Sequence, residues 1–410
     1  MRSHLVAGLD IGTTKTCAVL AEVSSDPRHR SQVKIVGVGQ ARTEGMRSDV
    51  VTHIDETAET ARAALREAEV MAGVTVDRVY AGIAGAHIQT SASLGVVAIG
   101  GDEIQQEDVQ RVHEVARAVA LPPDRELLHA IPQDYVVDHQ GGIVDPVGMT
   151  ATRLEADVYL ITCGAQPAGN IRKAVSKAGY RVQELVLEPL ASARAVLTED
   201  EKEVGVAMIE IGAGTTDIAV FHEGKFRHVS ILPLGGTTVT NDLVKGLSIP
   251  FAEAQKAKES WGVAVSRLTD PQETVELPGP GPGQVRQVSR ELIAHIIEQR
   301  LDELLGLVQQ ELEQTRLLDR LGAGVVLTGG TAGIPGMLEL AGQVFASPAR
   351  IGVPCEGLVG LSDSVARPRF ATGVGLALRG ADRFYDTGEG TSTRASGAFA
   401  RVGAWLREFF

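Results

Sequence analysis

Leu9-Asp-Ile-Gly-Thr-Thr-Lys-Thr16 and, two hundred positions later, Ile209-Glu-Ile-Gly-Ala-Gly-Thr-Thr216 carry one pattern twice. In each, two apolar residues flank an acidic one, a Gly-rich turn follows, and an apolar run resumes at Ala18–Leu20 and Ile218–Phe221. Apolar runs on either side of a short Gly/Thr turn predict a β-hairpin. A hairpin repeated at half the chain length predicts two homologous lobes facing each other across a cleft.

The hairpin residues suit an anion. Gly12 lets the backbone approach a phosphate closely, and successive N–H groups form an anion nest. Thr13 and Thr14 add hydroxyl donors, and Lys15 adds a point charge suited to phosphate oxygens. Asp10, at the strand end, is placed to hold the water shell of Mg²⁺, which keeps several waters and takes few carboxylates. The second hairpin offers Gly212, Gly214, Thr215 and Thr216, with Glu210 and Asp217 flanking and Asp217 a second candidate for Mg²⁺ through water. Two such loops converging from opposite lobes would enclose ATP and Mg²⁺, where catalysis is mainly positioning and charge neutralisation. A third element, Thr328-Gly329-Gly330-Thr331-Ala-Gly333, lets a flat ligand such as a purine approach at a strand end.

Outward from these motifs, composition bounds the rest. At 410 residues the chain is long for one core and is 44% apolar, the profile of an α/β protein. Cys17, Cys163 and Cys355 lie far apart, which fits neither a disulfide framework nor a zinc site and predicts buried thiols in a reducing cytoplasm. A net charge of −13 argues against a nucleic-acid groove. No apolar run is long enough for a transmembrane helix, and Asp10 stops Leu5–Leu9 before a signal-peptide core can form.

Periodicity places a third strand near Lys34–Gln40 and a helix over Asp55–Ala72 capped by Asp55. Residues 83–163 read as a mixed α/β insertion with a helix at Gln105–Ala120. After the second hairpin, Ser248–Gly262 reads as helix, Pro271–Gly283 as an irregular loop, Val288–Leu318 as a long amphipathic helix, and Phe370–Arg379 as the closing helix. Asp382–Ser396, rich in Gly, Ser, Thr and charge, reads as a linker. In Gly397–Phe410, Phe399, Val402, Trp405, Leu406, Phe409 and Phe410 share one helical face, with Arg401 and Arg407 off it. Aromatics with Arg suit an anionic bilayer interface.

The three Gly-rich elements, in this order, resemble the phosphate and adenosine motifs of the actin/Hsp70/sugar-kinase superfamily. Glu253, Lys256 and Ser260 look like its purine-contacting helix; Leu187–Ala193, with Glu188 near the metal's water, and Ala371–Gly375 look like its two hinges. Ala130-Ile-Pro-Gln-Asp-Tyr135, Ile143–Met149, Ile231–Gly236 and Val326–Gly330 are similar to the bacterial FtsA family of cell-division proteins. That resemblance implies an α/β fold, a two-lobed actin-like ATPase fold with an inserted α/β subdomain in the first lobe. It implies subdomain 1A at 1–82 with 164–190 and 354–381, inserted 1C at 83–163, 2A at 191–240 with 322–353, 2B at 241–321, a linker at 382–396 and a membrane-targeting helix at 397–410. It also implies self-assembly into protofilaments on the cytoplasmic face of the cell membrane at the division site. There the chain would tether the C-terminal tail of the tubulin-like FtsZ and recruit later division proteins, with Arg290 and Arg300 receiving the acidic tail. Asp10, Glu188 and Glu210 would be the catalytic carboxylates.

One departure shapes the expectation for activity. The superfamily's second phosphate loop opens with Asp and continues Gly-Gly-Gly, whereas this chain has Glu210 and Ala213, which predicts ATP binding with weak or no hydrolysis. Two other readings of the same fold are a sugar-kinase-type phosphotransferase and an actin-like pilus-assembly adaptor. No Asp is singled out as the catalytic base for the first, and the lipid-facing tail disfavours the second.

Overall fold

A computed structural model describes residues 3–24, 32–279, 283–354 and 356–386. The expectations on the tail helix 397–410, on linker residues 387–396, on Cys355 and on 280–282 lie outside the described residues.

The chain opens with β1 (Ser3–Ile11), β2 (Lys15–Ser24), β3 (Val33–Arg42), a two-residue ladder β4 (Met46–Arg47) and β5 (Val50–Val51), helix α1 (Ile54–Ala72) and β6 (Arg78–Ile83). β7 (Gln89–Ala98), α2 (Gln106–Arg117), β8 (Arg125–Val137), β9 (Gln140–Ile143) and β10 (Arg153–Gly164) form a separate layer. The first lobe resumes with α3 (Ala165–Ala178) and β11 (Arg181–Leu187), and α4 (Glu188–Val196) with α5 (Glu199–Val204) crosses to the second. That lobe holds β12 (Val206–Ile211), β13 (Thr216–His222), β14 (Lys225–Leu232), α6 (Gly236–Leu247), α7 (Phe251–Trp261), β15 (Thr274–Pro278), β16 (Val285–Ser289), α8 (Arg290–Gln314), β17 (Gly324–Thr328), α9 (Met337–Phe345) and β18 (Ala349–Ile351). β19 (Leu358–Gly360), α10 (Ser362–Val365) and α11 (Ala371–Asp386) return to the first lobe.

The sequence repeat is a repeat of topology. One sheet runs β11-β6-β1-β2-β3-β19 and the other β14-β13-β12-β17-β18. Counted within its sheet, each contains the order third-second-first-fourth-fifth, with antiparallel pairs on the hairpin side and parallel pairs beyond. Each central strand is apolar on both faces because helices cover both; β12, Val206–Ile211, is buried along its whole length. Between the lobes, α4 and α11 cross so closely that a Cβ on Gly375 would stand 1.8 Å from the Ala191 carbonyl oxygen. Only glycine permits that backbone contact, and it brings the first turns of both helices to the cleft.

The inserted layer is a four-stranded antiparallel sheet, β7-β10-β8-β9, with α2 packed on it through Val109, Val112 and Ala116. It reaches the second lobe. Asp134 of β8 pairs with Lys225 and Arg227 of β14, and the Tyr159 ring meets Phe226 edge-on at 5.7 Å.

Several expected boundaries shift. Asp55 lies inside the first turn of α1, and His53 is the capping residue with no side-chain cap. The helix expected over Ser248–Gly262 begins at Phe251, and α6 before it was not anticipated. Within the expected loop Pro271–Gly283, Thr274–Pro278 is strand, because the alternating Val275 and Leu277 bury into the second lobe's core beside Val288. The closing helix runs past Arg379 to Asp386, so the linker does not begin at 382. Arg379 and Arg383 both grip Glu184 (2.9 and 3.0 Å), Arg194 grips Asp382, and Phe384 stacks on His4 at 4.8 Å.

Candidate functional site

The two hairpins have the same register. Ile11 pairs with Thr16 and Ile211 with Thr216, leaving four-residue loops. Gly12 N donates to Lys15 O at 3.1 Å and Gly212 N to Thr215 O at 3.0 Å. The loops therefore correspond position by position: Thr13 with Ala213, Thr14 with Gly214, Lys15 with Thr215. Both open onto one interlobe cleft of about 460 Å³, lined by Asp10, Gly12, Thr13, Thr14 and Lys15 on one side and Glu210, Gly212, Ala213, Thr215 and Asp217 on the other.

Besides Glu259, five carboxylates converge there. Glu188 starts α4, Asp10 and Glu210 stand one residue before the ends of their strands, and Asp217 faces Glu210 across the second hairpin. Asp49, from the turn between β4 and β5, is the fifth. Burial pushes Asp10 up to about 6, against the pull of Lys15 and with a further push from Asp49. Burial likewise pushes Glu210 up to about 7, although the hydroxyls of Ser192 and Thr372 oppose it. Glu188 and Asp217 are raised well above the ordinary carboxylate range, first by burial and then by their neighbours' charge.

Glu210 Oε1 accepts from Thr372 Oγ1 at 2.6 Å, so its extra methylene carries it to the hinge helix α11. Its Oε2 and Asp217 Oδ1 are buried without a partner among the described residues. Buried orphan acceptors of this kind call for an ion or water. An all-oxygen set with open valences fits a hydrated Mg²⁺. Among the described residues no group of three His, Cys, Asp or Glu stands ready to ligate a metal directly, so water and phosphate oxygens would complete its shell.

At the mouth, Lys15 Nζ donates to the Arg369 carbonyl and lies 5.0 Å over the Phe370 ring. Gly329, Gly330 and Thr331 line the far end, where Thr331 Oγ1 donates to Gly212 O at 3.0 Å and so joins the third Gly-rich element to the second hairpin.

Some expected residues stand elsewhere. Thr216 is a strand residue whose hydroxyl is buried and donates to Leu234 O at 2.8 Å. Gly214 is at the hairpin tip, against Thr13 and Ser48, and does not line the cleft. On α7 the lining residues are Gln255, Lys258 and Glu259, whereas Lys256 and Ser260 are exposed and Glu253 half-buried, off that face. Neighbouring helix positions differ by about 100°, which separates Lys256 from Lys258. Lys258 Nζ donates to Gly236 O and Thr240 Oγ1, both at 2.8 Å, and burial lowers its ammonium to about 8. Asp49, Lys258 and Arg369 line the cleft without having been anticipated, and Thr372 reaches it from the expected hinge Ala371–Gly375.

Outside the cleft, Arg290 is held by Trp261 O (3.1 Å) and Glu273 (2.7 Å), and Arg300 by Asp242 and Glu303. Cys17 and Cys163 are buried and free, with burial pushing their thiols up to about 12 and about 11.

Known proteins place this geometry. The family model described as "Cell division protein FtsA" matches residues 207–375, and "SHS2 domain inserted in FTSA" matches 85–162. The chain is 42% identical to the cell division protein FtsA of Pseudomonas aeruginosa over 394 residues, 96% of this chain and 93% of that protein. Among solved structures, the PilM–PilN type IV pilus biogenesis complex aligns with TM-score 0.65 at 18% identity, covering 92% of this chain and 98% of that one. MreB 5 of Spiroplasma citri bound to AMPPNP aligns with TM-score 0.57 at 12% identity, covering 95% and 100%. These two share the actin-like fold.

Proposed function

The chain belongs to the FtsA family of cell division proteins, and from that premise we propose that it binds Mg²⁺–ATP in the interlobe cleft, polymerises, and tethers FtsZ to the cytoplasmic face of the cell membrane. The carrying observation is the pair of matched hairpins converging on buried carboxylate oxygens without partners. In this reading the loop N–H groups and the Thr13, Thr14 and Thr215 hydroxyls hold the phosphates, and Lys15 neutralises them. Asp10, Glu188, Glu210 and Asp217 hold the metal's water shell. Gly329, Gly330 and Thr331 seat the purine, with Gln255 and Lys258 beside it. Mg²⁺, when bound, supplies the charge neutralisation that permits a triphosphate among carboxylates. The MreB 5 relative of this fold was solved with AMPPNP, an ATP analogue, which supports the ligand class.

Slow or absent hydrolysis is part of the proposal. Glu210 is tied through Thr372 to the hinge, so it bridges the lobes rather than standing free to aim a water. ATP titration followed by calorimetry, with phosphate release measured alongside, tests both halves. Binding without measurable turnover is expected; turnover well above one per minute would overturn the second half.

Membrane attachment rests on the amphipathic face of 397–410. Among the described residues no helix is long and apolar enough to cross a membrane. An anchored tail of one copy is weak, and polymerised copies multiply it by effective concentration. Deleting 397–410 should abolish co-sedimentation with anionic liposomes; a truncated protein that still pellets removes the anchor. FtsZ's acidic tail would have to compete with Glu273 and Asp242 for Arg290 and Arg300. Charge reversal at Arg290 should therefore weaken tail binding, and unchanged affinity would move the partner surface elsewhere.

A further inference from the structure

Asp49 sits in the two-residue turn between β4 and β5, with Ser48 at φ 45° and itself at φ 59°. Both residues are left-handed, as a tight hairpin turn of two residues requires, and Asp tolerates that region better than most. The turn thrusts its carboxylate between the two Gly-rich hairpins. Oδ1 accepts from Thr13 Oγ1 at 2.8 Å and Oδ2 from Thr215 Oγ1 at 2.6 Å. Its own N–H donates to Thr13 Oγ1 at 3.2 Å. The residue is 7% exposed, so the contact is enclosed.

These two hydroxyls are one from each lobe, and both line the cleft. A hydroxyl has a single proton and donates one hydrogen bond at a time. While Asp49 accepts from both, neither is available to a phosphate oxygen. A carboxylate is a charged acceptor of the same kind, so the exchange is like for like.

We propose that Asp49 is the resident anion of the phosphate subsite: it ties Thr13 to Thr215, and a polyphosphate enters by taking over those hydroxyls. This rests on the reading of the cleft as a nucleotide site. Two consequences follow. Asp49 lowers nucleotide affinity, because its bonds must be broken and its charge opposes the incoming phosphates. It also makes binding more dependent on Mg²⁺, since a divalent ion offsets that charge. Asp10 and Glu188, which feel the Asp49 charge directly, share in the same repulsion.

The test uses the full chain, stripped of nucleotide with EDTA, and a fluorescent ATP analogue titrated with and without Mg²⁺. Asp49→Asn keeps the shape and removes the charge; Asp49→Ala removes the acceptor. Both should bind about tenfold more tightly without Mg²⁺, the scale of a charge-assisted bond no longer exchanged, and the Mg²⁺ dependence should flatten. Without nucleotide, Asp49→Ala should melt below the wild type, and saturating Mg²⁺–ATP should close that gap. Circular dichroism establishes that the variants are folded, and Asp49→Asn stands in if Asp49→Ala is not. Folded variants that bind equally or more weakly overturn this inference and leave the nucleotide site intact. A wild type that binds no ATP even with Mg²⁺ overturns both.

Discussion

The two hairpins share strand order, register and loop length, yet they differ at each of the four loop positions but the first. Where the first has Lys15, the second has Thr215; where the first has Thr14, the second has Gly214. The first loop brings charge to the cleft. The second brings closeness: a Cβ at Gly214 would stand 2.3 Å from Thr13 Oγ1 and 3.0 Å from Ser48 Cα, so the tip is packed against the opposite lobe. The flanking acids diverge in the same sense. Asp10 stays beside Lys15 in the first lobe, whereas Glu210 reaches across to Thr372. The repeated element thus has one half that carries the cation, Lys15, and one half that fastens the lobes.

That division of labour can be broken by experiment. Lys15→Ala should lower ATP affinity about 100-fold, as loss of a charged phosphate contact does, while Thr215→Ala changes it only about threefold, because that hydroxyl would only exchange one charged acceptor, Asp49, for another. Equal effects in calorimetric titration would mean that the loops remain equivalent. Gly214→Val should cost about 2–3 kcal/mol in denaturant unfolding by overpacking the tip. Thr14→Val, at the matching position, should cost well under half of that, because a side chain already fits there.

Glu210 sharpens the contrast through pH. Its folded carboxyl titrates near 7 against 4.5 when unfolded, because of burial. Its stabilising contribution is therefore complete below 4.5 and is lost as pH rises through about 7. Glu210→Gln, neutral throughout, should gain stability relative to the wild type across that window, by on the order of 2 kcal/mol between pH 5 and 8 in metal-free buffer. Paired melting curves at both pH values read it directly; a flat difference would mean that Glu210 titrates normally. The smallest effect belongs to the insertion. Asp134→Ala removes two partly buried ion pairs with β14 and should cost about 1 kcal/mol in thermal unfolding.

The repeat was legible because each hairpin is local: strand, turn and strand lie within residues 3–24 and within residues 206–222, and the pattern recurs intact. The insertion was legible for a similar reason, since its strands carry their own alternation. Asp49 was not. Its strands are two residues long, too short for any periodicity, and its partners lie 36 and 166 positions away. Helix α6 was hidden behind Gly235-Gly236, which reads as a turn but here lets Gly236 N donate to Gly212 O at 2.9 Å. On α7, lysines at 256 and 258 made the facing side undecidable until packing of Ala254 and Ala257 set the helix's rotation. The C-terminal end of α11 depended on Glu184, a partner almost two hundred residues distant.

That last contact makes the molecule a lever. Arg379 and Arg383, one turn apart near the end of the described chain, are both bolted to Glu184 on β11. Three residues beyond Glu184, β11 ends at Leu187 and α4 begins with Glu188, in the cleft itself. A pull on the C-terminal end of α11 is delivered through two guanidinium groups to a stiff strand whose tip carries a cleft carboxylate. Mechanical load and cleft geometry are therefore in series along one short path of covalent chain and ion pairs.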